Sequence, residues 1–192
     1  MMRAVTKSPE EMLSRTTRLL LAALLIAAAL FTACKNEEEY AEAEAFSFVV
    51  YPGSRYLGQL TEITKNAHKI AAPNVEPPPT AIYDTDATVE TVADFYVKEY
   101  GYKEIAKDAT NNLSAAKPQA YWRGGNLGTD TKPIEGLLKQ MGLPTDVNQA
   151  VGDYRAVEIA PRPNRPRVTI QRPYFDVTTS KVVDRTLILM SR

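Results

Sequence analysis

Apolar residues fall into three regimes along this chain. Leu19 to Ala33 reads LLLAALLIAAALFTA, apolar but for Thr32 and without a charge. Cys34 to Ala45 has no hydrophobic period and is crowded with glutamates. From Phe46 onward apolar and polar positions alternate with the short periods of folded elements. Phe46 to Tyr51 alternates as a strand and is stopped by the turn pair Pro52-Gly53. Arg55 to Ile63, RYLGQLTEI, reads as a second strand, and Ala71 to Thr80 as an extended proline-rich loop. Ala81 to Tyr83 is a short strand leading into Asp84-Thr85-Asp86.

The strongest periodic signal predicts a helix over Ala87 to Tyr100. Val89, Val92, Ala93, Tyr96 and Tyr100 form one apolar stripe, Asp86 is placed to cap its start, and Gly101 to end it. Asp84 reads as a turn residue rather than as half of a carboxylate pair. Gln119 to Trp122 reads as a strand, Arg123 to Gly128 as a glycine loop, and Ile134 to Met141 as a short helix stopped by Gly142 and Pro144. Tyr154–Ile159, Arg167–Arg172 and Val182–Met190 are late strands. Strands in series with few helices predict an α+β fold. Its antiparallel sheet would have about five to six strands, with one main helix and one short helix.

The uncharged run is about 22 Å long as a helix, short of the ~30 Å hydrocarbon core of a bilayer. Arg15 and Arg18 precede it, as in the positive start of a signal peptide. Met12 gives a tidier start than Met1, because it leaves out Glu10 and Glu11, so it is the expected initiator. Three segments follow: a leader over 1–33, an acidic flexible tether over 34–45 and a single domain over 46–192. The 23 basic and 23 acidic residues of the whole chain cancel only in sum. Without the leader's four basic and two acidic residues the counts are 19 and 21. The tether carries Lys35 against five glutamates, which leaves the domain nearly neutral. No basic surface for nucleic acid is expected.

Cys34 is the only cysteine, which excludes an intrachain disulfide and a multi-cysteine zinc site. It stands directly after the leader, in Leu30-Phe31-Thr32-Ala33-Cys34. This segment resembles the lipobox of bacterial lipoproteins, with a departure at Phe31. The resemblance implies cleavage before Cys34, acylation of its sulfur and amino group, and anchoring in a lipid bilayer by acyl chains such as palmitate. Lys35, where an aspartate would retain such a protein at the inner membrane, implies the outer membrane of the cell envelope.

His68 is the only histidine and reads as a loop or surface residue, with no GxSxG serine to serve. RGGNLG over 123–128 lacks the lysine and following helix of a phosphate loop, and Asn126 and Asp130 lack the oxygen spacing of a calcium loop. No metal or cofactor is expected. Paired carboxylates for hydrolysis stay open, because sequence does not show which strands meet.

The candidate contact residues are Tyr121, Trp122 and Arg123 beside the glycine loop, and Arg162, Arg165 and Arg167 among prolines. Aromatics tolerate half-wet positions, and arginines grip anionic groups in pairs of hydrogen bonds. An anionic envelope polymer is one partner for them; an arginine- and proline-guarded sheet edge is the alternative. Consecutive strand residues point to opposite faces, so Tyr121 and Trp122 are expected to part.

Tyr51-Pro52-Gly53, Tyr83, Thr85, Val92, Phe95 and Tyr96 together resemble a loose group of small exported bacterial proteins with an early YPG turn and a Val-x-x-Phe-Tyr helix. That resemblance implies a shared fold and no catalytic residues. The expected role is an envelope lipoprotein with a non-enzymatic binding or interaction domain. A tethered hydrolase of wall or surface polymer and a structural part of envelope assembly are the alternatives.

Overall fold

The computed structural model describes residues 48–107 and 120–192. The expected leader, Cys34, the tether and Phe46-Ser47 lie outside the described residues. The fold is α+β. Six strands form one antiparallel sheet: β1 (Arg55–Tyr56), β2 (Thr80–Thr85), β3 (Ala120–Asn126), β4 (Asp153–Ile159), β5 (Arg167–Arg172) and β8 (Thr186–Ser191). Their order across the sheet is β1-β2-β8-β5-β4-β3, and β6 (Tyr174–Asp176) and β7 (Lys181–Val183) form a separate hairpin. The helices are α1 (Gly58–Ala71), α2 (Val89–Glu99), α3 (Leu127–Thr131) and α4 (Glu135–Gln140).

The expected helix over 87–100 is α2, slightly shortened. Its stripe is buried, with Val92, Ala93 and Tyr96 wholly removed from solvent. At roughly 1.5–3 kcal/mol for each large apolar side chain, this stripe fixes the helix to the sheet. It packs across β4 and β5 on Val157, Ile159, Val168 and Ile170, with Ile188 and Met190 of β8 completing the cluster. Gly101 takes φ +66°, and the Tyr102 and Gly101 amides donate to the carbonyls of Val97 and Lys98. That is the paired-bond ending that only a residue free of Cβ strain adopts easily. The cap is Thr88, not Asp86: its hydroxyl accepts from the Thr91 amide, whereas Asp86 is drawn away into an ion pair with Arg185.

The second expected strand is wrong beyond its first two residues. Only Arg55-Tyr56 pair with β2, and the chain then turns into α1, the longest helix among the described residues. The apolar positions Leu60, Ile63, Ala67 and Ala71 recur at helical spacing, which the window ending at Ile63 cut short. His68 is therefore a buried helix residue rather than a loop one, and neither ring nitrogen has a partner among the described residues. Residues 48–51 form no strand. They are held instead by Tyr96, whose hydroxyl donates to the Val49 carbonyl (3.0 Å) and accepts from the Tyr51 amide (3.2 Å). The expected strand over 182–190 divides into β7 and β8, parted by Asp184 and Arg185, both tied into ion pairs.

Beyond β1, the outer side of β2 is covered by the entry into α1. The Leu57 amide, at the N-cap, donates to the Ile82 carbonyl (2.8 Å), and the Ile82 amide donates to the Thr61 hydroxyl of α1 (3.0 Å). At one end of β2, Asp84 is wholly buried yet charged. It accepts from Arg55 (2.7 and 3.1 Å), Arg185 (3.0 Å) and the Tyr174 hydroxyl (3.1 Å). Burial pushes its carboxyl upward, but those hydrogen bonds outweigh it and hold the group below the ordinary range.

Candidate functional site

Strand registers show what lies on the sheet face opposite α2. One row across it runs Ile82, Leu189, Thr169, Glu158, Tyr121, and the next runs Asp84, Leu187, Gln171, Ala156, Arg123. Alternation places both rows on the same face. Their β2–β8 ends are aliphatic apart from Asp84; their β5–β3 ends are mostly polar.

A cavity of about 150 Å³ stands over the aliphatic end. The sheet supplies Ile82, Leu187 and Leu189 as its floor. α1 supplies Leu60, Ile63 and Ala67 as one wall, and α4 with its flanks supplies Leu138 and Met141 as the other. Tyr174, Phe175 and Val177 of the hairpin region close one side. Both walls owe their shape to local sequence. α1 lines this space with the small residues Ala67 and, at its more exposed end, Ala71, which leaves room that larger side chains would fill. α4 stops at Gly142, φ +72°, where the Leu143 and Gly142 amides donate to the carbonyls of Leu138 and Lys139. The lining is almost wholly carbon, and an apolar space of this size admits a benzene-sized guest.

The polar end is built around Glu158, which is only 8% exposed. Its carboxylate accepts from the Thr169 hydroxyl (2.8 Å) and lies 3.5 Å from the Arg123 guanidinium. Arg123 also donates to the Tyr154 hydroxyl (2.8 Å), and that hydroxyl donates to Asp130 at the start of the 127–150 helical segment. Burial raises the Glu158 carboxyl, and Thr169, Arg123 and Arg167 pull it back only in part. Burial, reinforced by Asp130, pushes the Tyr154 hydroxyl up to about 12. Tyr121 is raised by burial and then by Glu158, with Arg167 and Arg123 opposing. Gly125 has to be glycine here: a Cβ would come within 2.5 Å of the Tyr154 hydroxyl and 2.7 Å of Asp130.

Of the six expected contact residues, three converge. Tyr121, Arg123 and Arg167 surround Glu158 on this face. Trp122 points to the other face, against the α2 core, with the Arg155 guanidinium 4.6 Å from its ring centre. Arg162 and Arg165 sit at the β4–β5 turn, where they bridge each other. Arg162 stacks 4.4 Å over Tyr102 and is part of the fold's edge. The expected glycine loop is largely strand: β3 runs through Gly124 and Gly125 to Asn126, whose side chain caps α3 by accepting from the Gly128 and Thr129 amides.

Glu158, Thr169 and the cavity were missed by sequence reasoning. In Asp153–Ile159 the glutamate stands between apolar residues, the pattern of a solvent-facing strand position. Only the neighbouring strands reveal that it is covered. The charged neighbours that act on Glu158 are Arg123 and Arg167; among the described residues no second carboxylate bears on it directly. No group of three His, Cys, Asp or Glu able to hold a metal occurs among the described residues, and no helix among them is long and apolar enough to cross a membrane. Comparison of the chain with known protein families, curated proteins and solved structures returns no match.

A carboxyl raised by burial costs stability when ionised. The folded pKa lies above the unfolded value of 4.5, so this contribution is favourable below about that pH and is lost as pH rises through the folded value. Glu158→Gln, which keeps an oxygen for Thr169, is expected to stabilise the domain by about 1 kcal/mol at pH 7. Urea titrations at pH 7 and pH 4 check this: the gain should shrink at the lower pH. A destabilised variant at pH 7 would show instead that the Arg123 pair outweighs burial.

Proposed function

We propose that this chain is a lipid-anchored cell-envelope protein whose α+β domain binds a ligand without transforming it. The apolar cavity between α1, α4 and the sheet carries the binding half of this reading. Its lining is aliphatic and aromatic, with the Thr64 hydroxyl turned to the Leu60 carbonyl and the Tyr174 hydroxyl to Asp84, so it offers mainly contact area to an apolar guest. Among the described residues Glu158 has two arginines and a threonine around it and no paired carboxylate, so the two-carboxylate geometry of glycoside hydrolysis has no support from them. Cys34, behind an uncharged run with arginines before it, carries the anchoring half. Two or more acyl chains at that residue make a stable anchor. Lys35 favours the outer membrane over the inner.

Two measurements test the halves separately. Labelling of cells with palmitate should mark the parent chain and not Cys34→Ala, and equal labelling would overturn the anchor. The domain should bind benzene, read as chemical-shift changes in the methyl groups of the cavity lining. Ala67→Phe, which fills the cavity from α1, should weaken that binding at least tenfold while raising or preserving the melting temperature. Equal binding by a folded Ala67→Phe would remove the cavity as the binding place.

A further inference from the structure

We propose that one end of the domain, built on Lys98, Lys103, Arg162 and Arg165, rests on the anionic head groups of the bilayer that holds the chain. This orientation rests on the anchored reading above and adds which surface faces the membrane. The sheet register defines the two ends. Ala81, Met190, Val168 and Ile159 stand side by side near one, and Asp84, Leu187, Gln171 and Ala156 near the other. At the second end each arginine is matched by an acid. Arg55 and Arg185 lie within 3.0 Å of Asp84, Arg155 of Glu90 and Arg172 of Asp184. At the first end the cations have no such match. Lys98 in the last turn of α2, Lys103 just beyond it, and Arg162 and Arg165 in the β4–β5 turn make no ion pair among the described residues.

The end of α2 draws these cations together. The Tyr100 hydroxyl donates to the Pro166 carbonyl (2.8 Å) and the Tyr102 hydroxyl to the Ala160 carbonyl (2.8 Å), which ties the β4–β5 turn to the helix end. The Arg162 guanidinium lies 4.4 Å over the Tyr102 ring, and its Nε–H points to the Tyr100 carbonyl (3.4 Å). A guanidinium has five N–H donors, so the others stay at its edge for phosphate oxygens. Glu99 and Glu104 are the acids beside the four cations, which leaves two net positive charges. Lys69 and Glu76 share a shallow depression beyond α1 and cancel each other. Arg167 and Arg192 also stand at this end and are already engaged, so the surface is not built on them.

A basic residue at an anionic surface favours partition roughly fivefold, so two net charges favour it roughly 25-fold. That is weak for a free protein and sufficient to orient a tethered one, because a short tether holds its load at a high effective concentration. The described chain starts beside this end. The Val49 carbonyl accepts from the Tyr96 hydroxyl, and the Tyr96 ring centre is 6.2 Å from that of Tyr100. Residues 34–192 carry 19 basic and 21 acidic side chains, so their net charge opposes an anionic surface. A preference for such a surface has to come from the unequal division of that charge between the two ends.

Co-sedimentation of residues 34–192 carrying Cys34→Ser, and so without acyl chains, tests this on two kinds of vesicle. One is equimolar phosphatidylglycerol and phosphatidylcholine, the other phosphatidylcholine alone. Salt of about 0.1 M screens charges more than about 10 Å from the surface, so the glutamates of residues 37–44 count little. The anionic vesicles should carry down at least fivefold more protein, and high salt should erase the difference. Arg162→Gln with Arg165→Gln should bring binding down to the level of phosphatidylcholine alone. Arg155→Gln, a cation of the other end, should leave the preference unchanged. Arg165→Gln alone should cut the preference severalfold, and it carries the test if loss of the Tyr102 contact unfolds the double variant. Equal sedimentation with the two vesicles overturns the inference, as does a preference that survives in the folded double variant. Palmitate labelling of the parent chain reads the anchor independently, so either reading can fail without the other.

Discussion

Arg185→Met is expected to destabilise the domain by about 3 kcal/mol, measured as a fall in free energy of unfolding in urea at pH 7. The reason lies in which partner is hidden. Asp84 is wholly buried, while the Arg185 side chain is 27% exposed and Arg55 is mostly in solvent. Removal of Arg185 leaves a buried carboxylate with an exposed arginine and a tyrosine hydroxyl, and it also frees Asp86. Asp84→Asn should cost less, because the desolvated charge goes with the partner. A reversed order, with Asp84→Asn the worse, would mean that the network is held mainly by the arginines' packing. The pH dependence has the opposite sign to that of Glu158. The Asp84 carboxyl is held below its unfolded value of 3.8, so its contribution is present above that pH and is lost as pH falls through the folded value. In Arg185→Met the acid limb of the stability curve should flatten.

Tyr96→Ala is expected to cost about 4 kcal/mol, the larger of the two effects, because it empties a wholly buried site between α2 and the sheet. The ring stands edge-on to Phe95 (5.1 Å between centres) and Tyr100 (6.2 Å). Tyr96→Phe separates the ring from its hydroxyl. It should cost about 1–2 kcal/mol, because it leaves the Val49 carbonyl and Tyr51 amide without their partner. Hydrogen exchange distinguishes the two variants. In Tyr96→Phe protection should be lost at residues 48–51 and kept in α2. Loss spread evenly over the sheet would show that residues 48–51 are anchored by other contacts.

The elements that sequence revealed are those whose determinants lie within one element. α2 was legible because its stripe, cap region and Gly101 fall within 14 residues. The late strands were legible from alternation. α1 was mistaken because its apolar residues are few and spaced with threonine and lysine between them, so a short window matched either period. Asp84 read as a turn residue because its two arginine partners lie 29 and 101 positions away. The same distance hid the site. Tyr121 and Arg123 were singled out for their types, and their separation from Trp122 followed from strand geometry. That they meet Glu158 and Arg167 depends on β3, β4 and β5 lying side by side in that register, which local pattern does not encode.

The bonds that Leu57 and α1 make to Ile82 have a consequence for crowded molecules. A sheet that ends in an open strand offers a template on which a second copy adds its own strand, and repetition of that step grows a fibre. Here the amide and the carbonyl at the middle of β2 are both engaged, one by a threonine hydroxyl and one by the backbone of Leu57. The first rung of such a ladder is already taken. A single hydroxyl on a helix thus occupies, beyond the two-residue β1, a backbone group that an added strand would need.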